Sequence, residues 1–182
     1  MSGPITRRGF HTAVFGAAIS TGGVIAAHAD DETRDYPAPT FKPTLKKPKL
    51  GNLFAQDFVI FGHYDLDMVK KLLDKDPAIL NATVDWGGGD WESALGGASH
   101  LGRRDIAEYL IGRGARPDIF TAAMLGHLDI VTSLIGSHPA LADAKGPHGI
   151  PLITHAKMGG KEAEQVFKYL EGLKKPAAGE KL

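Results

Sequence analysis

Six histidines lie beyond residue 30, and they are the side chains in this sequence best suited to holding a metal ion. They are His63, His100, His127, His138, His148 and His155. No two of them have the spacing of a recognised zinc motif, such as two histidines four residues apart with a glutamate between them. His148 and His155 could meet His127 or His100 only through the fold. We therefore expect no metal site and no cofactor, and for His127 we expect a structural hydrogen bond.

The only two tryptophans flank a glycine-rich turn, in the order Trp86-Gly87-Gly88-Gly89-Asp90-Trp91. Tryptophan is enriched at binding hot spots, and a flexible turn suits recognition of a partner. We assign partner binding to Trp86, Asp90 and Trp91, together with His148 from a second long connection. The alternative is that one or both indole rings pack back onto neighbouring helices.

Two aspartates beside the three glycines suggest a calcium loop, but the pattern is incomplete. The alternating carboxylates and closing glutamate of such a loop are absent around Asp85 and Asp90. Turn and capping chemistry explains both residues better. The sequence also lacks a serine elbow, a phosphate-binding loop and a dinucleotide fingerprint, so we expect a protein that is not an enzyme.

Composition excludes several classes of function. The chain has 182 residues with 43% hydrophobic residues, enough for one packed domain. It contains no cysteine, which excludes disulfides, thiolate catalysis and cysteine-ligated metals. Basic and acidic residues number 21 each, and a nucleic-acid-binding domain usually shows a basic excess. We expect no nucleic-acid partner.

Residues 1–29 have the pattern of a cleavable signal peptide. Arg7 and Arg8 precede Phe10 and a mildly apolar run, which resembles the twin-arginine export motif. Ala27-His28-Ala29 fits a signal-peptidase cleavage site with Ala27 and Ala29 as its small residues. We therefore predict a periplasmic or secreted bacterial protein with no stable membrane insertion after cleavage. A retained membrane anchor is the alternative.

Two further segments are predicted to lie outside the folded domain. Residues 30–51 combine four prolines with several lysines, a composition that favours an extended linker over a basic docking strip. Residues 174–182 are predicted to form a flexible tail.

Between these segments, one helical pattern occurs four times. In each copy, apolar residues at the third, sixth and seventh places fall on one face of a helix. The copies are Asp67-Met68-Val69-Lys70-Lys71-Leu72-Leu73, Asp105-Ile106-Ala107-Glu108-Tyr109-Leu110-Ile111, Asp129-Ile130-Val131-Thr132-Ser133-Leu134-Ile135 and Glu164-Gln165-Val166-Phe167-Lys168-Tyr169-Leu170. A second short helix ending in glycine precedes the second and third copies, closing at Gly102 and Gly126.

These features resemble the ankyrin-repeat family. Ser93-Ala94-Leu95 stands where the family has Thr-Pro-Leu. The match continues through Ala98, Gly102, Asp105, Leu110, Ile111, Gly114 and Ala115, and again from Ala122 to Ile135. The resemblance implies an all-α solenoid of about four helix-turn-helix units over residues 52–173. It also implies a non-catalytic module that binds another protein. The alternative function is a periplasmic small-molecule or metal-binding protein that uses a concave notch and its histidines.

One departure from the family pattern predicts a gap in the binding face. The second and third aspartate-led helices start 24 residues apart, whereas the family repeats about every 33 residues. This step leaves no room for the β-hairpin finger that normally projects between units. We predict one missing finger, a notch in its place, and Asp118 as the N-cap of the next helix.

Overall fold

The structure is a computed structural model that describes residues 35–41, 44 and 47–174. The predicted signal residues Arg7, Arg8, Phe10, Ala27 and Ala29 lie outside the described residues, as does the tail beyond Lys174. Chain contacts divide the protein into residues 1–45 and residues 46–182. The described residues of the first unit are exposed and carry no helix or strand.

The second unit is mostly helical. Its elements are α1 (Asn52–Phe61), α2 (Leu66–Lys75), β1 (Thr83–Asp85), β2 (Trp91–Ser93), α3 (Ala94–His100), α4 (Arg104–Gly112), α5 (Ile119–Leu125), α6 (Leu128–Ser137), α7 (Leu152–Met158) and α8 (Glu164–Lys174). Short 3₁₀ turns occupy Pro77–Asn81, Pro139–Asp143, Pro147–Gly149 and Gly160–Ala163. No helix in the described part of the chain is long and apolar enough to cross a membrane.

The helices pack as consecutive pairs in two layers. Helices α1, α3, α5 and α7 lie side by side, and each also packs on the helix that follows it in the chain. In the second layer α2 packs on α4, and α6 packs on α8. None of these helices is long enough to be stable alone in water, so the apolar contacts between neighbours must hold them. The residues that follow α1 lie against α3, because Gly62 packs on Ala94 and His63 packs on Gly97.

The repeated pattern predicts the core positions only in part. Its third position is fully buried in all four copies, at Val69, Ala107, Val131 and Val166. Its sixth position is variable, since Leu110 is fully buried whereas Leu134 is exposed. The third position is therefore the consistent core contact, and the sixth is not.

The two predicted helix-ending glycines adopt the left-handed conformation, as expected. Gly102 has φ +69° and Gly126 has φ +80°. A Cβ at Gly126 would overlap the carbonyl oxygen of Glu162, and one at Gly102 would overlap that of Met158. Glycine is thus required at both positions by backbone conformation and by close packing of the segment from the end of α7 to the start of α8.

The connection between α4 and α5 is short, as the sequence spacing predicts. Only residues 113–118 separate α4 from α5, and no strand occurs there. The one strand pair among the described residues is the antiparallel hairpin of β1 and β2, in which Thr83 pairs with Ser93. Asp118 caps α5 as predicted, because its Oδ1 accepts the backbone N–H of Thr121 at 2.8 Å.

Candidate metal centre

Four side chains from four separate elements converge beside the hairpin. His63 follows α1, Glu92 is the central residue of β2, His100 ends α3, and His148 lies in the 3₁₀ turn Pro147–Gly149. One nitrogen or oxygen from each lies within 4.8 Å of all the others. These four residues are called the histidine cluster below.

Glu92 is the buried carboxylate at the centre of this cluster. Side chains alternate between the two faces of a strand, so the exposure of Trp91 (60%) turns Glu92 inward, where it is 1% exposed. The indole Nε1–H of Trp86 donates to Oε2 of Glu92 at 2.7 Å. Nε2 of His100 lies 2.9 Å from Oε1. A buried carboxylate is unfavourable without such partners, so this geometry indicates a specialised position.

The His63 ring is held against α1 and α3. Its Nδ1–H donates to the carbonyl oxygen of Val59 at 2.9 Å. The ring also needs Gly97 in α3, because a Cβ there would lie 2.6 Å from Cε1 of His63. Backbone contacts on one side and a glycine on the other therefore point Nε2 into the cluster. Nε2 of His63 lies 3.3 Å from Oε2 of Glu92 and 3.2 Å from Nε2 of His100.

His148 reaches the cluster through a strained turn. It is the one described non-glycine residue with positive φ, at 58°, a conformation that costs about 1–3 kcal/mol. Asp90, at the end of the hairpin turn, accepts both the backbone N–H and the Nδ1–H of His148, each at 2.8 Å. Nε2 of His148 then lies 3.4 Å from Oε2 of Glu92.

Hydrogen bonding fixes the proton positions of two rings. Nδ1 of His63 faces carbonyl oxygens and Nδ1 of His148 faces a carboxylate, and both kinds of group only accept hydrogen bonds. Both Nδ1 atoms therefore carry the proton, and in the neutral rings both Nε2 atoms present lone pairs. These lone pairs point toward the carboxylate of Glu92. A cation between them satisfies every one of these groups at once.

Four separations in the cluster, measured to either oxygen of Glu92, are close to those between neighbouring ligands of a tetrahedral metal site. Zn²⁺ bonds to histidine nitrogen and carboxylate oxygen are about 2.0 Å long, which places neighbouring ligand atoms roughly 3.3 Å apart. The distances from Glu92 to His100, His63 and His148 are 2.9, 3.3 and 3.4 Å. The separation of 3.2 Å between His63 and His100 fits the same figure.

The electrostatics keep the site negatively charged. Burial raises the pKa of Glu92, but hydrogen bonds from His100, His63 and Trp86 outweigh burial and hold that pKa far below its usual range. The hydrogen bond to Glu92 raises the pKa of His63, against the opposing effect of burial. The backbone N–H of His148 lowers the pKa of Asp90. Glu92 and Asp90 are therefore both ionised at neutral pH and favour a bound cation.

A fourth histidine lies next to the cluster but does not join it. The ring of His155 is 6.5 Å from that of His100 and 4.9 Å from that of Phe120. Its Nδ1–H donates to the carbonyl oxygen of Pro151, and its buried Nε2 has no hydrogen-bond partner among the described residues. Burial lowers the pKa of His155, so this ring is neutral and packs as an apolar group.

A cleft of about 420 Å³ lies beside the cluster, between the hairpin and the residues that precede His148. Hairpin residues form one wall, α5 forms the floor and the residues before His148 form the other wall. The lining residues are Thr83, Gly89, Asp90, Trp91, Ser93, Gly96, Asp118, Phe120, Lys145, Gly146 and Pro147. Asp90 lines the cleft and also accepts a hydrogen bond from His148 of the cluster.

The four residues assigned to partner binding have different environments. Trp86 is half-buried and bonded to Glu92, as the alternative of packing back requires, whereas Trp91 is exposed. Asp90 and His148 contact each other. Asp85 accepts the backbone N–H groups of Gly87 and Gly89 at 2.9 and 3.1 Å, which confirms its turn role.

His148 and His127 were expected to make particular contacts, and the structure shows which of these form. His148 does meet His100, with ring centroids 5.4 Å apart. The prediction for His127 is wrong: its ring is exposed and makes no hydrogen bond within the described chain, because it faces solvent at the start of α6. His63 and Glu92 were missed. A signal for Glu92 existed in the strand alternation beside Trp91, but His63 had none.

Comparison with known proteins adds no relative: no family model, curated protein or solved structure matches this chain. Function is therefore inferred from the geometry of the site.

Proposed function

We propose that this protein binds one divalent transition-metal ion, best represented by Zn²⁺, at the histidine cluster. The observation that carries the proposal is the convergence of three imidazoles on one buried carboxylate, with nitrogen–oxygen distances of 2.9, 3.3 and 3.4 Å. Metal binding stood in the sequence analysis as the alternative function. In the neutral form of His63 and His148 two Nε2 lone pairs face a carboxylate, an arrangement that a bound cation stabilises.

The donor set selects the class of metal. Three imidazole nitrogens and one carboxylate oxygen suit Zn²⁺, Co²⁺, Ni²⁺ and Cu²⁺. Calcium and magnesium prefer oxygen ligands in larger number. Copper(I) prefers sulfur, and the chain contains no cysteine to supply a thiolate.

Outer hydrogen bonds support the same assignment. Metal-bound histidine almost always donates its other ring N–H to a carboxylate or a carbonyl oxygen, which fixes the ring and its tautomer. His148 donates to Asp90 and His63 to the carbonyl of Val59. Trp86 holds one oxygen of Glu92. These bonds pre-orient three of the four ligands.

Calorimetric titration of the chelator-treated full chain with Zn²⁺ tests the proposal. We expect one ion per chain, and replacement by Co²⁺ should give the strong visible absorption of a tetrahedral complex. Glu92→Gln and His100→Gln should each weaken binding by more than about 100-fold, since losing only an outer partner costs about 10–100-fold. His127→Gln is the matched control, because His127 is exposed and outside the cluster.

Circular dichroism of each variant distinguishes lost binding from lost folding. The proposal fails if the wild type takes up no ion, or if a folded His100→Gln variant binds Zn²⁺ as tightly as the wild type.

The resemblance to ankyrin-repeat proteins supports a second candidate function, the binding of another protein. We propose that the helix pairs form an ankyrin-type solenoid and that Trp91 belongs to a partner surface. Trp91 is 60% exposed and lines the cleft together with Phe120 and Pro147. A crosslinking pull-down should capture a discrete partner that Trp91→Ala loses. Trp86 is not a suitable test position, because its loss also disturbs Glu92.

Export of the protein is proposed on the sequence pattern alone. Replacing Arg7 and Arg8 together by lysine should block export if the twin-arginine motif is used. N-terminal sequencing of exported protein should begin at Asp30. A protein that retains residues 1–29 would support the membrane-anchor alternative.

A further inference from the structure

We propose that metal binding at the histidine cluster closes the turn that carries His148 against the hairpin, and that metal release lets this turn open. The inference rests on the proposed metal-binding function. It concerns residues 145–150, called the His148 turn below, and the hairpin of residues 83–93.

One residue of the His148 turn, His148 itself, makes the hydrogen bonds that join the turn to the hairpin. Other hydrogen bonds of the turn are internal: the N–H of Gly146 donates to Ile150, and that of Gly149 donates to Gly146. Among the described residues, the hydrogen bonds and ion pairs that join this turn to the hairpin all come from His148. When the bonds from His148 to Asp90 break, the tip of the turn keeps its internal hydrogen bonds but is no longer bonded to the hairpin.

The base of the turn is fixed and its tip is not. Gly146 lies against the rings of His155 and Phe120, where a Cβ would be 3.2 Å from the first and 3.4 Å from the second. A Cβ at Gly149 would meet nothing within 4 Å. Movement is therefore confined to the tip, pivoting about a packed glycine.

In the closed position the backbone of His148 is strained, and other bonds must offset the cost of that strain. His148 adopts the left-handed conformation at φ 58°, which residues with a Cβ rarely occupy. Its side chain is also the most exposed of the four in the histidine cluster, at 37%. The bonds to Asp90 offset this strain, and a metal–nitrogen bond adds to them. The open turn lacks both the strain and the bonds.

The other three ligands do not depend on closure. His63, Glu92 and His100 lie on α1, β2 and α3, which pack against one another. A metal ion can therefore bind the open form through three ligands and the closed form through four. Because a ligand shifts an equilibrium only by its differential affinity for two states, this one extra bond sets the strength of closure.

Closure also sets the shape of the neighbouring cleft. Asp90 and Trp91 form one of its walls, and Lys145, Gly146 and Pro147 form the other. The bond between Asp90 and His148 joins these walls at one end. Metal occupancy thus controls whether the cleft has a fixed width.

The amide hydrogen of His148 is the reporter of closure, because it donates to Asp90 across the gap. Its exchange with solvent should be measured by NMR in the full chain, first with chelator and then with saturating Zn²⁺. We expect exchange to slow by more than about 100-fold with Zn²⁺, because closure adds a metal ligand and losing an outer partner alone costs about 10–100-fold. The amide of Thr121, which donates to Asp118 away from the cluster, is the control and should not change.

The Zn²⁺ affinity of a His148→Gly variant is a second, independent measurement. Glycine removes the ligand and tolerates positive φ, so the fold should be kept. By linkage, its fold loss in Zn²⁺ affinity should equal the fold slowing of exchange at the wild-type His148 amide. Agreement of the two numbers supports the proposal.

Two sets of results would overturn it, and they are distinguishable. If Zn²⁺ binds one to one but leaves exchange at His148 unchanged, or if His148→Gly binds Zn²⁺ as tightly as the wild type, the closing turn is wrong and metal binding stands. If the wild type binds no Zn²⁺, both proposals fail.

Discussion

Single residues decide which histidine nitrogen is available to a metal. Asp90 and the carbonyl of Val59 each accept a hydrogen bond from Nδ1–H, so in the neutral rings Nε2 of His148 and His63 face Glu92 as lone pairs. The identity of the acceptor is therefore as important as the presence of the imidazole.

Asp90→Asn tests this dependence on the tautomer. The asparagine oxygen can still accept the backbone N–H of His148, but its amide group donates toward Nδ1 and moves the ring proton to Nε2. We expect Zn²⁺ affinity to fall by about 10–100-fold in calorimetric titration. Asp85→Asn is the control, since asparagine also accepts the N–H groups of Gly87 and Gly89. Unchanged affinity in Asp90→Asn would mean that His148 is not a ligand.

Gly97→Ala tests the packing of His63. Alanine normally favours a helix, but its Cβ would lie 2.6 Å from the His63 ring and push Nε2 out of the cluster. We expect Zn²⁺ affinity to fall by at least about 10-fold, on the scale at which disturbed outer contacts weaken metal sites. In Gly172→Ala, where a Cβ meets nothing within 4 Å, affinity should be unchanged and the free energy of unfolding should rise by about 0.5–1 kcal/mol.

An affinity for Zn²⁺ in Gly97→Ala equal to that of the wild type would show that His63 has room to move without leaving the metal. That result would remove His63 from the ligand set or make its exact position unimportant.

At the scale of elements, the sequence predicts best what is set locally. The Asp118 cap and the glycine ends at Gly102 and Gly126 depend on neighbours within a few residues, and all three are confirmed. The hydrogen bond expected for His127 depends on which way the side chain turns, and it is absent.

The cap of α5 gives a prediction about stability. Asp118→Ala removes the acceptor for the N–H of Thr121 and should lower the free energy of unfolding by about 1 kcal/mol in urea denaturation. Asp118→Asn should keep most of that stability, because asparagine is an equally good cap. If both variants are as stable as the wild type, the bond seen at Asp118 contributes nothing measurable.

At the scale of the whole molecule, the histidine cluster depends on contacts that no local pattern encodes. His63 and His100 are 37 residues apart, and His148 and Asp90 are 58 residues apart. The sequence analysis recognised that His148 and His100 could meet only through the fold, and it did not identify His63 or Glu92. Spacing motifs detect ligands on one helix or one loop, whereas these four come from four elements.

The missing finger is predicted to be a requirement for the site. Inserting a β-hairpin of about ten residues between Arg116 and Pro117 would lengthen the short connection between α4 and α5 and fill the cleft. We expect the helical circular dichroism signal to persist, while Zn²⁺ affinity falls to the level of His148→Gly. An inserted variant that binds Zn²⁺ as tightly as the wild type would show that the gap does not bring Asp90 and His148 together.

The order of the ligands along the chain has a consequence for how the site is assembled in time. A ribosome makes the chain from its N-terminus, so His63, Glu92 and His100 are complete well before His148 is synthesised. Helices α1 to α4 and the hairpin contain the first three ligands and pack on one another. A growing chain would therefore offer metal three ligands first. The fourth ligand arrives only after α5 and α6 have been made, so tight binding marks a chain that has been synthesised past His148.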